Sequence, residues 1–146
     1  MEKSTEVRNP YEVVILMHPD ATLEDQKTLF KKNKSIIGDF KGEINSLDTW
    51  GKRNLANMIG KSKKAIYFHS TFMAQPQAIM ELERTMRIND KVLRFMHTRI
   101  DSRISLVKFM ENFKKGLQDS HAREKEKEAK MQARKAAAAA FKDDKY

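Results

Sequence analysis

The sequence predicts an α+β domain in which a four-stranded antiparallel sheet carries two helices on one face. Three observations predict it. Period-two apolar alternation occurs four times within the first hundred residues. Two of the intervals between these segments carry apolar residues at helical spacing. The third interval is short, basic and bounded by glycine, as an antiparallel hairpin requires. The resulting order is β-α-β-β-α-β, the split βαβ or ferredoxin-like arrangement. Such a sheet leaves its second face to solvent, a partner or RNA.

The first strand is expected at Tyr11–His18, where Val13, Ile15 and Met17 alternate with Glu12, Val14, Leu16 and His18. Both sides are largely apolar, so the strand reads as central and its second face as covered. Pro19-Asp20 ends it. Thr22 caps a helix, with Asp25 completing a variant capping box. Leu29, Phe30, Ile36, Ile37 and Phe40 form its inner stripe, with Asn33 as a polar gap. The lysines Lys27, Lys31, Lys32 and Lys34 lie mainly elsewhere and read as a solubilising surface. Lys41-Gly42 closes the helix and opens the second strand at Glu43.

That strand runs into Trp50-Gly51-Lys52-Arg53-Asn54-Leu55-Ala56-Asn57-Met58-Ile59-Gly60-Lys61. Ile44 and Leu47 are three apart, which signals a bulge or bend before Trp50. Gly51 permits a bulge or positive φ beside the cations. A basic turn holds Lys61, Lys63 and Lys64. The third strand follows at Ala65–Met73, with Ile66, Phe68 and Phe72 on one side and Tyr67, His69, Thr71 and Met73 on the other. Pro76 suits the first turn of the second helix. Ala78, Ile79, Leu82 and Met86 are its inner stripe, and Asn89-Asp90 is a stop signal. Lys91–Ile100 is the fourth strand. Beyond it, Ile104, Val107, Met110, Phe113 and Leu117 mark a short amphipathic helix. Ser120–Phe141 is rich in Ala, Lys, Glu and Arg, with no apolar seam, and reads either as a solvated, fluctuating helix that orders on RNA or as a disordered solubilising tail. The expected organisation is a flexible N-terminus at 1–8, one domain at 9–100 and a basic extension, partly helical or disordered, at 101–146.

The 146 residues carry a net charge of +9. The excess is shared: 17 basic against 12 acidic residues up to Ile100, and 12 against 8 beyond it. A basic balance attracts polyanions, most commonly nucleic acid. The absence of cysteine excludes disulfides, thiolate catalysis and thiolate metal sites. No apolar run is long enough to span a bilayer. The polar, mixed-charge start does not read as a signal peptide. Neither a membrane partner nor a small-molecule substrate is expected.

Enzymatic signals are poor. His18, His69, His97 and His121 lack metal-site spacing, and the sequence has no GxGxxG, GxxxxGK[ST] or GxSxG pattern. His69 and His97 sit on strands and are possible neighbours, but each reads as a structural histidine. Neither cofactor nor catalytic residue is expected. Base stacking on the sheet is not expected either. Against the RNA-recognition-motif consensus, Lys64–Thr71 offers only Phe68 at an aromatic position. The cations cluster instead at loops and edges, which favours contact with phosphates and RNA shape.

Tyr11-Glu12-Val13-Val14, the Trp50–Lys61 stretch and Arg87-Ile88-Asn89-Asp90-x-Val92-x-Arg94-x-Met96 together resemble ribosomal protein six of the bacterial small subunit. The resemblance covers about residues 9–100 and agrees with the ferredoxin-like reading. It implies a cytoplasmic structural constituent of the small ribosomal subunit, not an enzyme. Such a protein pairs with ribosomal protein eighteen and binds the central domain of small-subunit ribosomal RNA. Carried over by position, Trp50, Gly51, Lys52, Arg53, Leu55, Ala56, Ile59 and Lys61 form the family's hairpin motif, and Lys63 and Lys64 of the basic turn are candidate binding residues beside it. Arg87, Asn89, Asp90 and Arg94 belong to the motif joining the second helix to the last strand. Lys52, Arg53 and Lys61 are then expected to neutralise phosphates, Arg87 and Arg94 to form salt links to RNA or partner, and Trp50 to anchor packing. The sequence departs from the family pattern at Asn57-Met58, where the family usually has Tyr-Pro. The alternative reading is a non-ribosomal protein-interaction module with incidental basic charge.

Overall fold

A computed structural model describes residues 7–143. Most of the flexible N-terminus expected at 1–8 lies outside the described residues, as do the last three positions. Seven elements follow in order: β1 (Asn9–Met17), α1 (Leu23–Asp39), β2 (Glu43–Ile59), β3 (Ser62–Ala74), α2 (Pro76–Arg87), β4 (Val92–Arg99) and α3 (Leu106–Asp143). The chain divides into two compact units, Met1–Leu106 and Val107–Tyr146.

In the first unit the sheet order is β2-β3-β1-β4, antiparallel throughout. The register Ile15↔Phe68, Tyr11↔Phe72, Ile15↔Phe95 and Val13↔His97 assigns these side chains to one face. That face packs with Leu29, Ile36 and Ile37 of α1 and Ala78, Leu82 and Met86 of α2. Ile15, Met17 and Phe72 are at most 1 % exposed, so burial of this face dominates stability.

Local chemistry sets the element ends. Thr22 Oγ1 accepts from Asp25 N at 3.2 Å, and Asp25 Oδ2 accepts from Thr22 N at 3.0 Å. This reciprocal box satisfies two otherwise orphaned donors. The backbone bond from Thr22 holds the Asp25 carboxyl below its ordinary range. At the other end of α1, Lys41 takes the left-handed conformation (φ 55°) and Gly42 N donates to Ile37 O at 2.8 Å. Gly42 is needed for space rather than for φ, because a Cβ there would overlap Met73 O and the Ile37 side chain. Pro76 occupies the start of α2 as its missing N–H allows. The expected polar gap, Asn33, is itself buried on α1.

In the second unit, α3 continues through Ser120 without a break. Phe109 and Phe113 stack at 6.2 Å near its start, while Lys130 Nζ donates to Glu126 Oε1 at 2.6 Å further on.

Candidate nucleic-acid and partner interface

The β2–β3 hairpin is longer than its neighbours. β1 pairs with β3 only as far as Met17↔Ile66, whereas β3 begins at Ser62. At ~3.3 Å per residue the hairpin overhangs the sheet by about 13 Å. Lys52, Arg53, Lys61, Lys63 and Lys64 are all exposed on this overhang or at its base. Gly60 turns the tip with φ 56°. Among the described residues, Lys52, Lys61, Lys63 and Lys64 have no acidic partner within ion-pair distance, so their charge is available to an outside anion. Arg53 Nε donates to Trp50 O at 3.2 Å.

Three irregularities shape this hairpin. The β2–β3 register shifts between Ile44 and Ser46, between Thr49 and Gly51, and again between Asn54 and Ile59 towards the tip. Gly51 has φ 76°, the left-handed region that its lack of a Cβ allows. Alternation from Thr49, which pairs with Phe68 of the core, places Trp50 on the helix-free face, and the second shift pairs Gly51 with Tyr67 beside it. There its ring stacks on His69 at 5.5 Å and 15°, and on Tyr67 at 6.2 Å and 18°. His69 is only 1 % exposed, and its Nε2 donates to Glu12 Oε2 at 3.0 Å. Trp50 therefore lids a small polar core rather than standing free.

Around this lid the helix-free face is mixed. Alternation places Glu12, Val14 and Leu16 of β1 there, with their partners Thr98, Met96 and Arg94 of β4. Val14 and Leu16 are half-buried, while Met96 is 62 % exposed. The face thus carries an apolar strip flanked by a cation.

The second candidate group begins at the C-terminus of α2. Arg87 pairs loosely with Glu83 at 3.5 Å. The Asn89 side chain accepts from Lys91 N at 3.0 Å, and Asn89 O accepts from Val92 N at 3.1 Å. Asn89 is therefore occupied in building the turn, while Asp90 is exposed. Arg94 projects from the helix-free face of β4. The structure thus brings together Lys52, Arg53, Lys61, Lys63 and Lys64, and separates them from Arg87, Asn89, Asp90 and Arg94. The two groups occupy opposite sheet edges, three strand spacings or ~14 Å apart. They share one end, because both the hairpin overhang and Val92 lie beside Met17.

The two strand histidines are not neighbours. β1 separates β3 from β4, and the register sends His69 and His97 to opposite faces. His97 lies beside Phe72 and Phe95, 3.4 Å from Glu83 Oε1. Burial pushes its pKa down, opposed in part by the Glu83 charge. Phe68 is in the core, edge-on to Phe30 at 4.8 Å, where no base can reach it. Among the described residues, no three potential metal-ligating side chains converge, and no helix is long and apolar enough to cross a membrane.

Sequence reasoning missed the support beneath Trp50. Strand alternation put His69 beside Tyr67, but the Glu12–His69 contact depends on a register between residues 57 positions apart.

A small α+β scaffold with an overhanging basic hairpin and a half-apolar open face is the class that this architecture defines. Residues 10–99 match the family described as Ribosomal protein S6. The small ribosomal subunit protein bS6 of Bdellovibrio bacteriovorus is 73% identical over 123 residues, covering 84% of this chain and 81% of that protein. That of Desulforamulus reducens is 42% identical, covering 59% and 90%. The crystal structure of 30S ribosomal protein S6 from Thermotoga maritima superposes with a TM-score of 0.59 at 24% identity, covering 77% of this chain and 99% of that one. The chain belongs to the ribosomal protein S6 family and is a structural component of the small ribosomal subunit, not an enzyme.

Proposed function

We propose that the protein binds the central domain of small-subunit ribosomal RNA together with ribosomal protein eighteen. In this reading Lys52, Arg53, Lys61, Lys63 and Lys64 neutralise phosphates, and the open face receives the protein partner. Arg94 lies on that face and serves the partner. Arg87 and Asp90 border the shared end of the sheet, where the Asn89 turn places them. Trp50 holds the base of the hairpin by packing.

The observation that supports the reading most directly is the segregation of the surface. Exposed cations crowd the overhang, while half-buried apolar residues line the open face beside it. Phosphate contacts position a protein without reading bases, and a half-apolar sheet face suits a folded partner better than solvent.

The test is binding to a central-domain fragment, with and without ribosomal protein eighteen, across a salt series. Tight, salt-dependent binding that needs the partner is the expected result. Absence of specific binding in both conditions contradicts the reading. A salt-insensitive protein complex without RNA would favour an interaction module instead.

A further inference from the structure

α3 holds a feature that the hairpin reading does not use. Arg123, Lys127, Lys130 and Arg134 recur at spacings of four, three and four. At about 100° per residue they fall within an arc of roughly 60°, extending ~16 Å along the helix. All four are exposed. Heptad-like spacing of this kind ordinarily carries apolar seam residues; here it carries only cations. Glu126 borders the stripe on one side and Glu124 on the other. The Lys130–Glu126 pair at 2.6 Å is exposed on both partners, so an incoming anion competes with it readily.

The surroundings narrow the class of partner. Between Ser120 and Ala140 the only large apolar residue is Met131, so this segment lacks the apolar face that a membrane-surface helix requires. The bordering glutamates repel a broad acidic surface but leave room for a narrow line of charge. A nucleic-acid backbone is such a line, with one negative charge per ~1.7 Å of duplex axis. The five alanines Ala136–Ala140 and the length of α3 favour helix without a partner, so the stripe is presented before binding.

We propose that Arg123, Lys127, Lys130 and Arg134 form a second RNA-contact element, lying along the phosphate backbone of duplex RNA. The element takes its ligand class from the ribosomal reading but does not depend on the hairpin.

The test uses the full chain and two quadruple variants of equal charge. One is Arg123→Gln, Lys127→Gln, Lys130→Gln and Arg134→Gln. The other, off the stripe, is Lys114→Gln, Lys115→Gln, Lys125→Gln and Lys135→Gln. Gln is a good helix former, and circular dichroism verifies that α3 is retained. Binding to an RNA duplex of about 16 base pairs is measured across a salt series. The stripe variant is expected to lower the log–log salt slope by roughly 3, at about 0.7–0.9 per phosphate, with a much smaller change in the control. Equal changes in the two variants, or none in either, overturn the proposal. Stripe-dependent binding to polyglutamate but not to duplex RNA also overturns it, in favour of an acidic protein. The Lys52→Ala/Arg53→Ala double variant, measured on the central-domain fragment, reads the hairpin separately. Failure there with a stripe-dependent duplex slope would sink the hairpin assignment alone.

Discussion

The two faces of the sheet are built from the same alternating strands and do different work. Beneath the helices, Ile15, Met17, Phe72, Leu82 and Met86 are almost wholly removed from water. On the open side, the one deeply buried aromatic ring is His69, held by Glu12 and covered by Trp50. Of the apolar residues that alternation places there, Pro10 and Ala65 are buried, Val14, Leu16, Tyr67 and Met73 are half-buried and Met96 is exposed. The domain thus folds on one face and keeps the other for contact. An open face built wholly from large apolar residues would be an aggregation hazard. The polar centre under Trp50 orders the hairpin without enlarging that hazard.

The largest test of this division is Phe72→Ala. It opens a cavity on the covered face and should destabilise the domain by about 3–5 kcal/mol, read as a lowered denaturation midpoint at constant m. On the open face, Trp50→Ala removes a half-buried ring and two stacked contacts. Its effect should be about 1.5–2.5 kcal/mol, and amide exchange should rise along the hairpin while the helices stay protected. Equal effects from the two substitutions would break the distinction between the faces. Thr22→Ala deletes half of the capping box and should lower stability by about 1 kcal/mol, with α1 fraying first in hydrogen exchange.

A subtler effect belongs to pH. His97 on the covered face is held neutral by burial, with its folded pKa below the ordinary histidine value of 6.5. The unfolded chain binds that proton more readily, so stability is full above 6.5 and declines as pH falls towards the folded value. Denaturation midpoints between about pH 7 and 5 should show this slope, and His97→Leu should flatten it.

Much of the domain was legible in its residues. The Ile44–Leu47 spacing and Gly51 announced two of the three register shifts in β2, while the third, between Asn54 and Ile59, had no such signal. Thr22 with Asp25 announced the capping box. These signals are local, and local steric and hydrogen-bonding rules decide them. What was not legible depends on long-range register. The opposite facing of His69 and His97 follows from their registers against consecutive β1 residues, Val14↔His69 and Val13↔His97, which no spacing along the chain encodes. Lys41-Gly42 closes α1 as read, with Lys41 taking the left-handed conformation and Gly42 serving the close approach of Met73. The cations of the candidate site were visible from composition. Their division between two edges at a shared end required the sheet order.

We propose the overhanging hairpin as the phosphate-binding element of this domain. It is tested most directly by the salt dependence of central-domain RNA binding in the presence of ribosomal protein eighteen. Wild type is to be compared with the Lys52→Ala/Arg53→Ala double variant. Loss of two phosphate contacts should lower affinity and reduce the log–log slope by about 1.4–1.8, with the folded domain intact by circular dichroism. Unchanged affinity and slope would contradict the claim and return the hairpin to a purely structural role.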